Sequence, residues 1–500
     1  MKSPLILYWA RRDLRIMDNP ALTLALQKST ARQIPFLPFF ILEDYMTQGN
    51  PEFQFGYPSR FFLAHALPHF INRFKEFLFV KGKVVGYIQK LQEQYELEIF
   101  VNDDVYPDFY SQIAKLRKLG INVTVCEDAL SVPKETRTQE GNIYSVFTPF
   151  KKAVWSSFTK QKKLTTSNTS AVTYLSHKKL CVLPDQIPDT TESILALMSA
   201  SRLLKVGTHL INLHEYIEIP TLQNWYTSES EALERFKSYL KRGDLDRYGE
   251  SRDSLEGDTA TSILHGRSIE GKTSRMSLAL AWGLISSRTL LHEIQKHYDE
   301  TFDNPFSNRV SQGVLIFISE LIWREFYRYQ FFHNPYLLDT EFQTRYRGTL
   351  SWEEGDSGLE RFIAWIKGET GYPVVDAAMK QIEHTGWMHN RARMIVASIL
   401  TKNLGIDWRW GQEYFRATLF DLDDASNNGG WQWAASVGTD PKPIRIFNPE
   451  LQAKNYDASG AYQAKWLMTD NVLQSPRVPI IEHKEARDAA ILRYKQTRTE

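Results

Sequence analysis

The chain has 500 residues, enough for two or three domains, and its 42% hydrophobic and 24% charged residues are ordinary for a soluble globular protein. Its 60 basic and 59 acidic side chains nearly cancel, so bulk charge cannot hold a polyanion and only a local basic patch could do so. Only Cys126 and Cys181 are present, which excludes a disulfide scaffold and a four-cysteine metal or iron–sulfur site and favours a reducing cytoplasm.

The N-terminal segment predicts neither a signal peptide nor a membrane span. Its short apolar run meets Arg11, Arg12 and Arg15 almost at once, and no later segment approaches 18 uninterrupted apolar residues. We therefore expect a soluble cytoplasmic protein, a monomer that makes no membrane contact.

In the first 128 residues, short β-rich apolar runs alternate with helical segments. The pattern predicts strands at 4–8, 33–41, 84–88, 98–103 and 121–128, with helices from 18 onward and near 61–81, 89–96 and 110–119. Strands that alternate with helices indicate a parallel sheet wrapped by helices.

After this region the pattern changes twice. Residues 132–179 are polar and loop-like, which predicts a long connector. From about residue 221 a helical period dominates, and it predicts helices at 229–241, 277–296, 313–332, 358–367, 372–385 and 390–403, with one more possible in the charged C-terminal end from 480. The second half is therefore predicted to be mainly α-helical.

The segment TSRMS at 273–277 places hydroxyls, a guanidinium and backbone amides immediately before an apolar helix. Amides at a helix start, together with hydroxyls, form a cradle for phosphate without a Walker lysine. The candidate residues are Thr273, Ser274, Arg275, Met276 and Ser277. The alternative is that these side chains only cap the helix.

Two later segments, TGWMHNRARM at 385–394 and DLDDASNNGGWQW at 421–433, concentrate tryptophan, asparagine, arginine and aspartate. Arg393 and Asp421 are a candidate charge pair, and Asp421 and Asp423 can accept hydrogen bonds from ribose hydroxyls or a ring imide. The following glycines permit close approach of the backbone to a ligand. The alternative is a surface loop; it lacks the EF-hand spacing, and we expect no metal site.

Two further pairs suggest a pocket for a flat ring. Glu320 and Trp323 are three residues apart, and Asn390 and Met394 are four apart, so each pair shares one face of its predicted helix. With Trp433, they would stack on a base-like ligand and hydrogen-bond to it. The alternative is an aromatic core that contains two satisfied polar residues.

Basic residues and tryptophans lie near these candidates. If the basic residues share a rim, they form the phosphate patch that the neutral net charge requires, and otherwise each is a solvated surface charge; they are Arg324, Arg328, Arg391, Lys442 and Arg445. Trp352, Trp408 and Trp431 could carry an electron from the surface to a redox ring, or could simply pack in the core.

Five long motifs in order resemble the photolyase/cryptochrome family, and the match extends from about residue 5 to 470. The motifs are WARRDLRIMDNPAL from Trp9, GKTSRMSLALAWGLIS from Gly271, ELIWREFYR from Glu320, GYPVVDAAMKQIEHTGWMHNRARM from Gly371 and DLDDASNNGGWQWAASVGTD from Asp421. The resemblance implies a Rossmann-like α/β domain with a parallel sheet, a connector, and an all-α domain that holds FAD in a U-shaped conformation. We expect boundaries at 1–132, 133–205 and 206–475, followed by a tail at 476–500.

The same resemblance assigns residues to FAD. They are Tyr248, Thr273, Ser274, Arg275, Met276 and Ser277 at the phosphates and ribityl chain, Arg393 and Asp421 beside the isoalloxazine, Asp423 on the ribose or adenine side, and Asn427 facing flavin N5.

The resemblance also implies a substrate. Family members that repair the (6-4) photoproduct have histidines where this chain has Asn390 and Met394, so the chain looks like the cyclobutane pyrimidine dimer type. The implied reaction is light-driven: the lesion flips out of UV-damaged DNA into the pocket and receives an electron from excited FADH⁻. Glu320 would hydrogen-bond the carbonyl side of the lesion and stabilise its radical anion.

The roles that follow from this resemblance fall into three groups. They are catalysis by Glu320, Trp323, Asn390, Met394 and Trp433; electron transfer through Trp431, Trp408 and Trp352, in that order outward; and DNA contacts by Arg252, Arg324, Arg391, Lys442 and Arg445.

Some alternatives stay open within the family. One is a cryptochrome photoreceptor with a vestigial pocket, although plant members usually have aspartate and animal members cysteine where Asn427 lies; another is a (6-4) photolyase. An antenna chromophore in the first domain could be a folate, a deazaflavin or absent. The segment 254–272 is longer than the family pattern predicts.

Overall fold

The computed structural model describes most of the chain. The described residues are 2–47, 56–128, 132–160, 190–198, 203–213, 225–259, 261–264, 267–270, 272–298, 310–439, 444–469, 472–473 and 478–497. Lys442, one of the predicted DNA contacts, lies outside them, as does most of the predicted connector after residue 160.

The first part of the chain forms a five-stranded parallel sheet with strand order β3-β2-β1-β4-β5. Its elements are β1 (Ser3–Trp9), α1 (Pro20–Arg32), β2 (Phe36–Leu42), α2 (Asp44–Thr47), α3 (Tyr57–Ile71), β3 (Leu78–Lys81), α4 (Val84–Gln94), β4 (Tyr95–Asn102), α5 (Pro107–Lys118) and β5 (Asn122–Cys126). Every residue of β2 and the last five of β1 are buried, as expected for strands covered on both faces. The predicted parallel sheet wrapped by helices is confirmed.

Two elements of this part differ from the prediction. The run VVGYI was predicted as a strand, but it begins α4, because Val84, Ile88 and Leu91 fall on one buried helical face. The third strand is instead Leu78–Lys81, which the prediction had placed inside a helix. The three apolar residues of this short strand, Leu78, Phe79 and Val80, do not by themselves distinguish a strand from the end of a helix.

The rest of the chain is rich in helices, as predicted. The elements are α6 (Phe147–Lys160), α7 (Thr191–Ala196), β6 (Leu203–Val206), β7 (His209–Asn212), α8 (Glu229–Lys241), α9 (Tyr248–Ser251), β8 (Thr261–Leu264), β9 (Arg267–Glu270), α10 (Ser277–Ala281), α11 (Ser287–Tyr298), α12 (Gln312–His333), α13 (Gly355–Ile366), α14 (Pro373–Thr385), α15 (Asn390–Ser398), α16 (Trp408–Thr418), α17 (Asp424–Ala434), α18 (Pro449–Tyr456), α19 (Ala461–Leu467), β10 (Met468–Thr469), β11 (Val472–Leu473) and α20 (His483–Gln496). Short 3₁₀ turns occur at Glu256–Thr259, Pro335–Leu338 and Thr344–Tyr346, and a π-helical turn at Ile399–Asn403 follows α15.

One predicted helix is divided in two. The segment 277–296 was predicted to be continuous, but it forms α10 and α11 with a break at Gly283, whose φ is +64°. A Cβ at this glycine would lie 2.1 Å from the carbonyl oxygen of Arg12. Glycine is therefore required here, because the backbone of the sheet part approaches directly.

The connector and the long segment at 254–272 also contain regular structure. Helix α6 begins at Phe147, within residues that were predicted to be loop. In the long segment, β8 and β9 pair antiparallel with Thr261 opposite Glu270. Among the described residues, the part predicted to be all-α thus contains the two-stranded sheets β8-β9 and β10-β11, and the sheet β6-β7 lies at its boundary with the predicted connector.

A continuous apolar core joins the sheet to the helices. One face of the sheet, with Ile6 and Tyr8, packs through Phe62 of α3 and Trp282 against Phe326 of α12. The opposite face packs on α4 and α5, and a separate core lies among α13 to α17. Among the described helices, none combines the length and the apolar character needed to cross a membrane.

Candidate active site

A cavity of about 720 Å³ lies among the helices of the second part. This volume falls in the range of about 300–1,000 Å³ that is typical for small-molecule and cofactor sites. Its wall contains all ten residues predicted to contact FAD and all five predicted catalytic residues, which are Tyr248, Thr273, Ser274, Arg275, Met276, Ser277, Arg393, Asp421, Asp423 and Asn427, and Glu320, Trp323, Asn390, Met394 and Trp433. The structure thus brings these 15 side chains, from five separate stretches of the sequence, around one space.

Arg393 and Asp421 form the predicted charge pair. The Nη2 atom of Arg393 lies 2.8 and 3.1 Å from the two carboxylate oxygens of Asp421, whose side chain is fully buried. The Nε atom of Arg393 donates to the carbonyl oxygen of Met388 at 2.8 Å. Arg393 of α15 and Asp421, just before α17, thus place a guanidinium and a carboxylate side by side on the cavity wall, where they can meet a planar ligand with both donors and acceptors.

The TSRMS segment forms a turn, and the amide of Ala279 in the first turn of the following helix donates to the hydroxyl of Tyr226 at 3.2 Å. Helix α10 has only five residues, and its N-cap residue Met276 makes no side-chain capping bond. Arg275 has φ +52°, unusual for a residue other than glycine. The carbonyl oxygens of Ser274 and Arg275 accept from Arg235 Nε and Tyr226 Oη, at 3.2 and 2.6 Å. Neither Tyr226 nor Arg235 lines the cavity, so these two carbonyl oxygens are hydrogen-bonded on the side of the turn away from the cavity.

The guanidinium of Arg275 is placed differently from the prediction. It lies over the rings of Trp387 and Trp225, 4.4 and 5.2 Å from their centroids, so it is held by two aromatic faces. The hydroxyl of Thr273 is buried and has no hydrogen-bond partner among the described residues. In this turn, the hydroxyls and backbone amides rather than the guanidinium are the candidate phosphate ligands.

Asp423 caps α17 and carries the charge of a buried carboxylate. Its side chain accepts from the amide of Ser426 at 2.9 Å and from Arg328 Nη1 at 2.7 Å, and Arg324 lies 3.7 Å away. Burial alone would raise the pKa of Asp423, but the guanidiniums of Arg328 and Arg324 outweigh burial and hold the pKa well below its ordinary value.

This arrangement corrects the predicted basic rim. Arg324 was predicted to contact DNA, but it faces inward, donating to the carbonyl oxygen of Leu280 at 3.1 Å and to Glu325 at 3.3 Å. Arg328 reaches from Asp423 to Asp104 of the sheet part, 3.9 Å away. Both arginines therefore balance buried carboxylates between the two parts of the protein.

The contacts around Glu320 were not predicted. Its carboxylate accepts from Arg252 Nη1 at 2.5 Å, and Arg252 continues to Asp253 at 3.6 Å. Asp253 in turn pairs with Arg391 at 2.7 Å. Burial raises the pKa of the Tyr248 hydroxyl, and the nearby Glu320 raises it further. The carboxylates and guanidiniums alternate, which holds Glu320 in place and leaves the cluster close to neutral.

The residues predicted to stack on and hydrogen-bond to a base lie on the wall of the cavity. Trp323 and Trp433 both line the cavity, and the guanidinium of Arg445 lies 5.6 Å from the Trp433 ring centroid. Asn390 is exposed, and its amide approaches the sulfur of Met394 at 3.9 Å, which places the two on one helical face as predicted. These groups combine aromatic surface with an amide and a carboxylate, and such a wall suits a nucleobase.

Helix α17 presents Asn427, Gly430, Trp431 and Trp433 to the cavity. Its asparagines and glycines are typical of a surface loop, but Asp423 caps the segment as a helix and most of its residues are buried. A Cβ at Gly430 would meet no atom within 4 Å. The helix thus leaves open space at Gly430, between Asn427 and Trp433.

Of the three tryptophans in the predicted electron chain, Trp408 and Trp431 are buried in the apolar core among α13 to α17, and Trp352 packs against this core. Trp431 lines the cavity and contacts the rings of Phe415 and Trp365, at centroid distances of 5.0 and 6.1 Å. Trp408 is fully buried and donates to Glu341 at 3.3 Å, and Trp352 is half-buried. Among the residues that the structure describes, Trp365 is the tryptophan in ring contact with Trp431, and no sequence motif indicated this contact.

Sequence reasoning also missed Phe147 and Trp387, which line the cavity. Trp387 lies inside the segment TGWMHNRARM, so its position beside predicted site residues could have identified it as a cavity residue. Phe147 lies in a segment predicted to be loop, and its place in the cavity follows only from the packing of α6 on α12.

The carboxyl edge of the parallel sheet has little space. In α/β sheets, ligands bind outside this edge where the strand order reverses, here between β1 and β4. The described residues there enclose about 60 Å³, lined by side chains that include Arg11, Asp13, Asn102 and Asp104. A space of this size is far below the range of about 300–1,000 Å³ for ligand pockets.

Comparisons with known proteins agree with this geometry. The family model for DNA photolyase matches residues 6–168, and the model for the FAD binding domain of DNA photolyase matches residues 317–478. The chain is 32% identical to a deoxyribodipyrimidine photo-lyase from a Synechococcus species, over 92% of this chain and 87% of that protein. It is 31% identical to the protein of the same name from Escherichia coli, over 98% of each.

Solved structures of photolyases and cryptochromes have a similar fold. A class III photolyase from Agrobacterium tumefaciens superposes with a TM-score of 0.78 at 26% identity, over 100% of this chain and 99% of that chain. A cryptochrome from a Synechocystis species superposes with a TM-score of 0.76, over 98% and 99% of the two chains. At 24% identity, the second similarity concerns the fold.

Proposed function

Because the chain belongs to the DNA photolyase family, we propose that it is a light-dependent deoxyribodipyrimidine photo-lyase that repairs cyclobutane pyrimidine dimers in DNA. The observation that carries the proposal is that one cavity contains both the Arg393–Asp421 pair and the group formed by Glu320, Trp323 and Trp433. A cofactor bound at the first group and a pyrimidine dimer bound at the second would therefore lie next to each other in the same cavity.

The residues present fit FAD, the cofactor of the matched domain. Three buried polar atoms on the cavity wall, Thr273 Oγ1, Trp387 Nε1 and Trp431 Nε1, have no hydrogen-bond partner among the described residues. Buried polar atoms are rarely left without a partner, so a polar ligand is expected here. The open space at Gly430 is a second sign of an occupant.

Specific groups would hold the cofactor. Thr273, Ser274 and Ser277 would bind its phosphates through hydroxyls and backbone amides, and the Arg393–Asp421 pair would hydrogen-bond the isoalloxazine. When bound, FAD supplies the light-excited electron that splits the dimer. The protein contributes the orientation of the two partners.

Glu320 would orient the damaged pyrimidine. Because the guanidinium of Arg252 lies 2.5 Å from it, the carboxylate acts as an acceptor and would receive the imide N–H of a thymine. This modifies the expectation that Glu320 bonds the carbonyl side of the lesion. The amide of Asn390 can donate to a pyrimidine carbonyl instead, and Trp323 and Trp433 offer stacking surfaces.

The side chains at 390 and 394 support the dimer class of lesion. Asn390 and Met394 offer an amide and a thioether, and neither can protonate a substrate at neutral pH. These two side chains therefore cannot support a repair reaction that requires a general acid at this position. Cleavage of a cyclobutane ring by an added electron needs no such acid, which favours the dimer over the (6-4) photoproduct.

The experiment is a repair assay with two matched oligonucleotides, one with a single thymine dimer and one with a single (6-4) photoproduct. The purified protein is reduced, mixed with each and illuminated, with dark samples as controls. Light-dependent loss of the dimer alone supports the proposal. If the protein binds FAD but repairs neither lesion, a photoreceptor role replaces it.

A further inference from the structure

Phe147 makes the closest aromatic contact with Trp323. The two ring centroids are 3.5 Å apart and the planes differ by 7°, so the rings lie parallel at van der Waals distance. The other ring contacts of Trp323 that the described residues make are tilted or perpendicular, with Tyr327 at 5.6 Å and 32° and Phe326 at 5.8 Å and 78°. One face of the indole is therefore covered by a parallel ring.

Phe147 is fixed to the helix that carries Trp323. Its own ring contacts Phe326 edge-on at 5.8 Å. Four residues further along α6, the ammonium of Lys151 donates to Ser319 Oγ at 2.9 Å, which ties α6 to α12. Just before α6, the backbone amide of Tyr144 donates to the hydroxyl of Tyr329 at 3.4 Å. Phe147 is thus held from both sides against α12.

This support distinguishes the two tryptophans of the cavity. Trp433 has a guanidinium near its ring and Phe447 perpendicular to it at 6.5 Å. Trp323 has a flat ring behind it, so its plane cannot tilt toward Phe147 without a clash. A ring whose plane is fixed in advance loses less conformational freedom when a ligand stacks on it.

We propose that Phe147 is a positioning residue for the lesion: it fixes the plane of Trp323, whose other face then stacks on the damaged pyrimidine. The proposal rests on the function proposed above. It gives a role in substrate recognition to α6, which contains none of the predicted catalytic or cofactor residues.

The test compares Phe147→Leu with Phe147→Tyr and Phe150→Leu. Leucine removes the parallel ring, and tyrosine keeps it. Phe150, one turn further along α6, also contacts α12, with Phe326 at 5.3 Å and Tyr329 at 5.0 Å, but it does not line the cavity. Phe150→Leu is therefore a control for the general effect of losing an aromatic contact between these helices.

The FAD-loaded proteins are titrated in the dark with a thymine-dimer oligonucleotide and with the same sequence undamaged. For Phe147→Leu we expect a Kd for the dimer that is about three- to tenfold higher, the range that corresponds to one aromatic pair. The Kd for undamaged DNA, the FAD content and the repair yield per bound dimer should be unchanged. Phe147→Tyr should restore the affinity, and Phe150→Leu should keep it.

The outcomes separate the two proposals. If the wild type does not prefer dimer DNA, the proposed function fails and this inference fails with it. If the wild type prefers the dimer and Phe147→Leu keeps that preference, only the inference fails. A tighter dimer complex in Phe147→Leu also contradicts it, because Phe147 would then be blocking the face that the lesion uses.

Discussion

Arg252 and Glu320 meet across 68 residues of sequence, and their contact decides what Glu320 can do. The spacing of Glu320 and Trp323 predicted one shared helical face, but nothing in the sequence indicated which cation lies beside the carboxylate. Helical periodicity describes only neighbours on the same helix. Contacts between α9 and α12 depend on how these helices pack.

The first prediction concerns Glu320→Gln. The amide keeps the shape of the side chain but loses the charge that pairs with Arg252. We expect a repair quantum yield several-fold lower, with FAD content unchanged. The yield is measured as dimers repaired per photon absorbed at saturating enzyme. Glu360→Gln, an exposed change on α13, is the control, and an unchanged yield in Glu320→Gln removes this residue from the mechanism.

The second prediction concerns the electron chain. Trp431 lines the cavity and packs on α16, since a Cβ at Gly411 would lie 2.1 Å from its ring. Trp431→Phe should abolish light-driven reduction of oxidised flavin but allow repair after chemical reduction. Transient absorption of the flavin measures the first effect and the dimer assay the second.

Trp408→Phe and Trp365→Phe distinguish two routes beyond Trp431. The predicted chain passes through Trp408, so Trp408→Phe should slow photoreduction and Trp365→Phe should not. Trp365 is the matched control because its ring contacts Trp431 at 6.1 Å. The opposite result would replace the predicted chain with one that passes through Trp365.

At the scale of elements, α17 shows what a local pattern misses. Asn427-Asn428-Gly429-Gly430 was considered as a loop because asparagine and glycine are typical of turns. The segment is a helix because Asp423 caps it and because its glycines permit close packing: a Cβ at Gly429 would lie 2.1 Å from the ring of Tyr327. Tertiary packing overrides propensity here, and only the cap was visible in the sequence.

Gly430 gives a third prediction. Gly430→Ala removes a helix-interior glycine where the structure has open space, so the free energy of unfolding without ligand should be unchanged or higher by up to about 1 kcal/mol. The added methyl group would occupy space that a ligand needs, and FAD or dimer affinity should fall by about 1–3 kcal/mol. Chemical denaturation and titration measure the two quantities.

Gly411→Ala is the matched control for this change. It is also a helical glycine, but its Cβ would meet the ring of Trp431, so it should destabilise the protein without ligand. A Gly430→Ala variant that loses stability but keeps both affinities would show that the space beside Gly430 is not a ligand site.

The π-helical turn after α15 contains a buried lysine. Lys402 donates to the carbonyl oxygen of Ala434 and to Ser436 Oγ, both at 2.8 Å, and to the carbonyl oxygen of Arg445 at 3.4 Å. It therefore joins the end of α17 to the segment that carries Arg445. Burial lowers the pKa of Lys402 to about 7, and the nearby Arg493 adds to the effect.

The fourth prediction follows from this lowered pKa. An unfolded lysine titrates near 10.4, so between about pH 7 and that value the unfolded chain binds more protons and stability rises with pH. The free energy of unfolding of the wild type, relative to Lys402→Met, should increase by about 1–3 kcal/mol from pH 7.5 to 9.5. Urea denaturation of both proteins at each pH measures this difference, and parallel pH curves would contradict it.

At the scale of the whole molecule, the cavity is assembled from residues between Val146 and Arg445. The sequence supported the parallel sheet, the helix-rich second part and the residues of the cavity wall, because each depends on local motifs or periodicity. It did not predict the inward direction of Arg324, the contact between Phe147 and Trp323 or the break at Gly283. These depend on side chains and backbone far apart in the chain that meet only in the folded protein.

In the proposed function, one cavity holds the cofactor and the lesion together. The most direct measurement is a crystal structure of the FAD-loaded protein bound to a duplex that contains one thymine dimer, grown in the dark. We expect the isoalloxazine beside Arg393 and Asp421, and the flipped dimer in contact with Glu320, Trp323 and Trp433. A dimer bound outside this cavity, or a flavin away from the Arg393–Asp421 pair, would contradict the account.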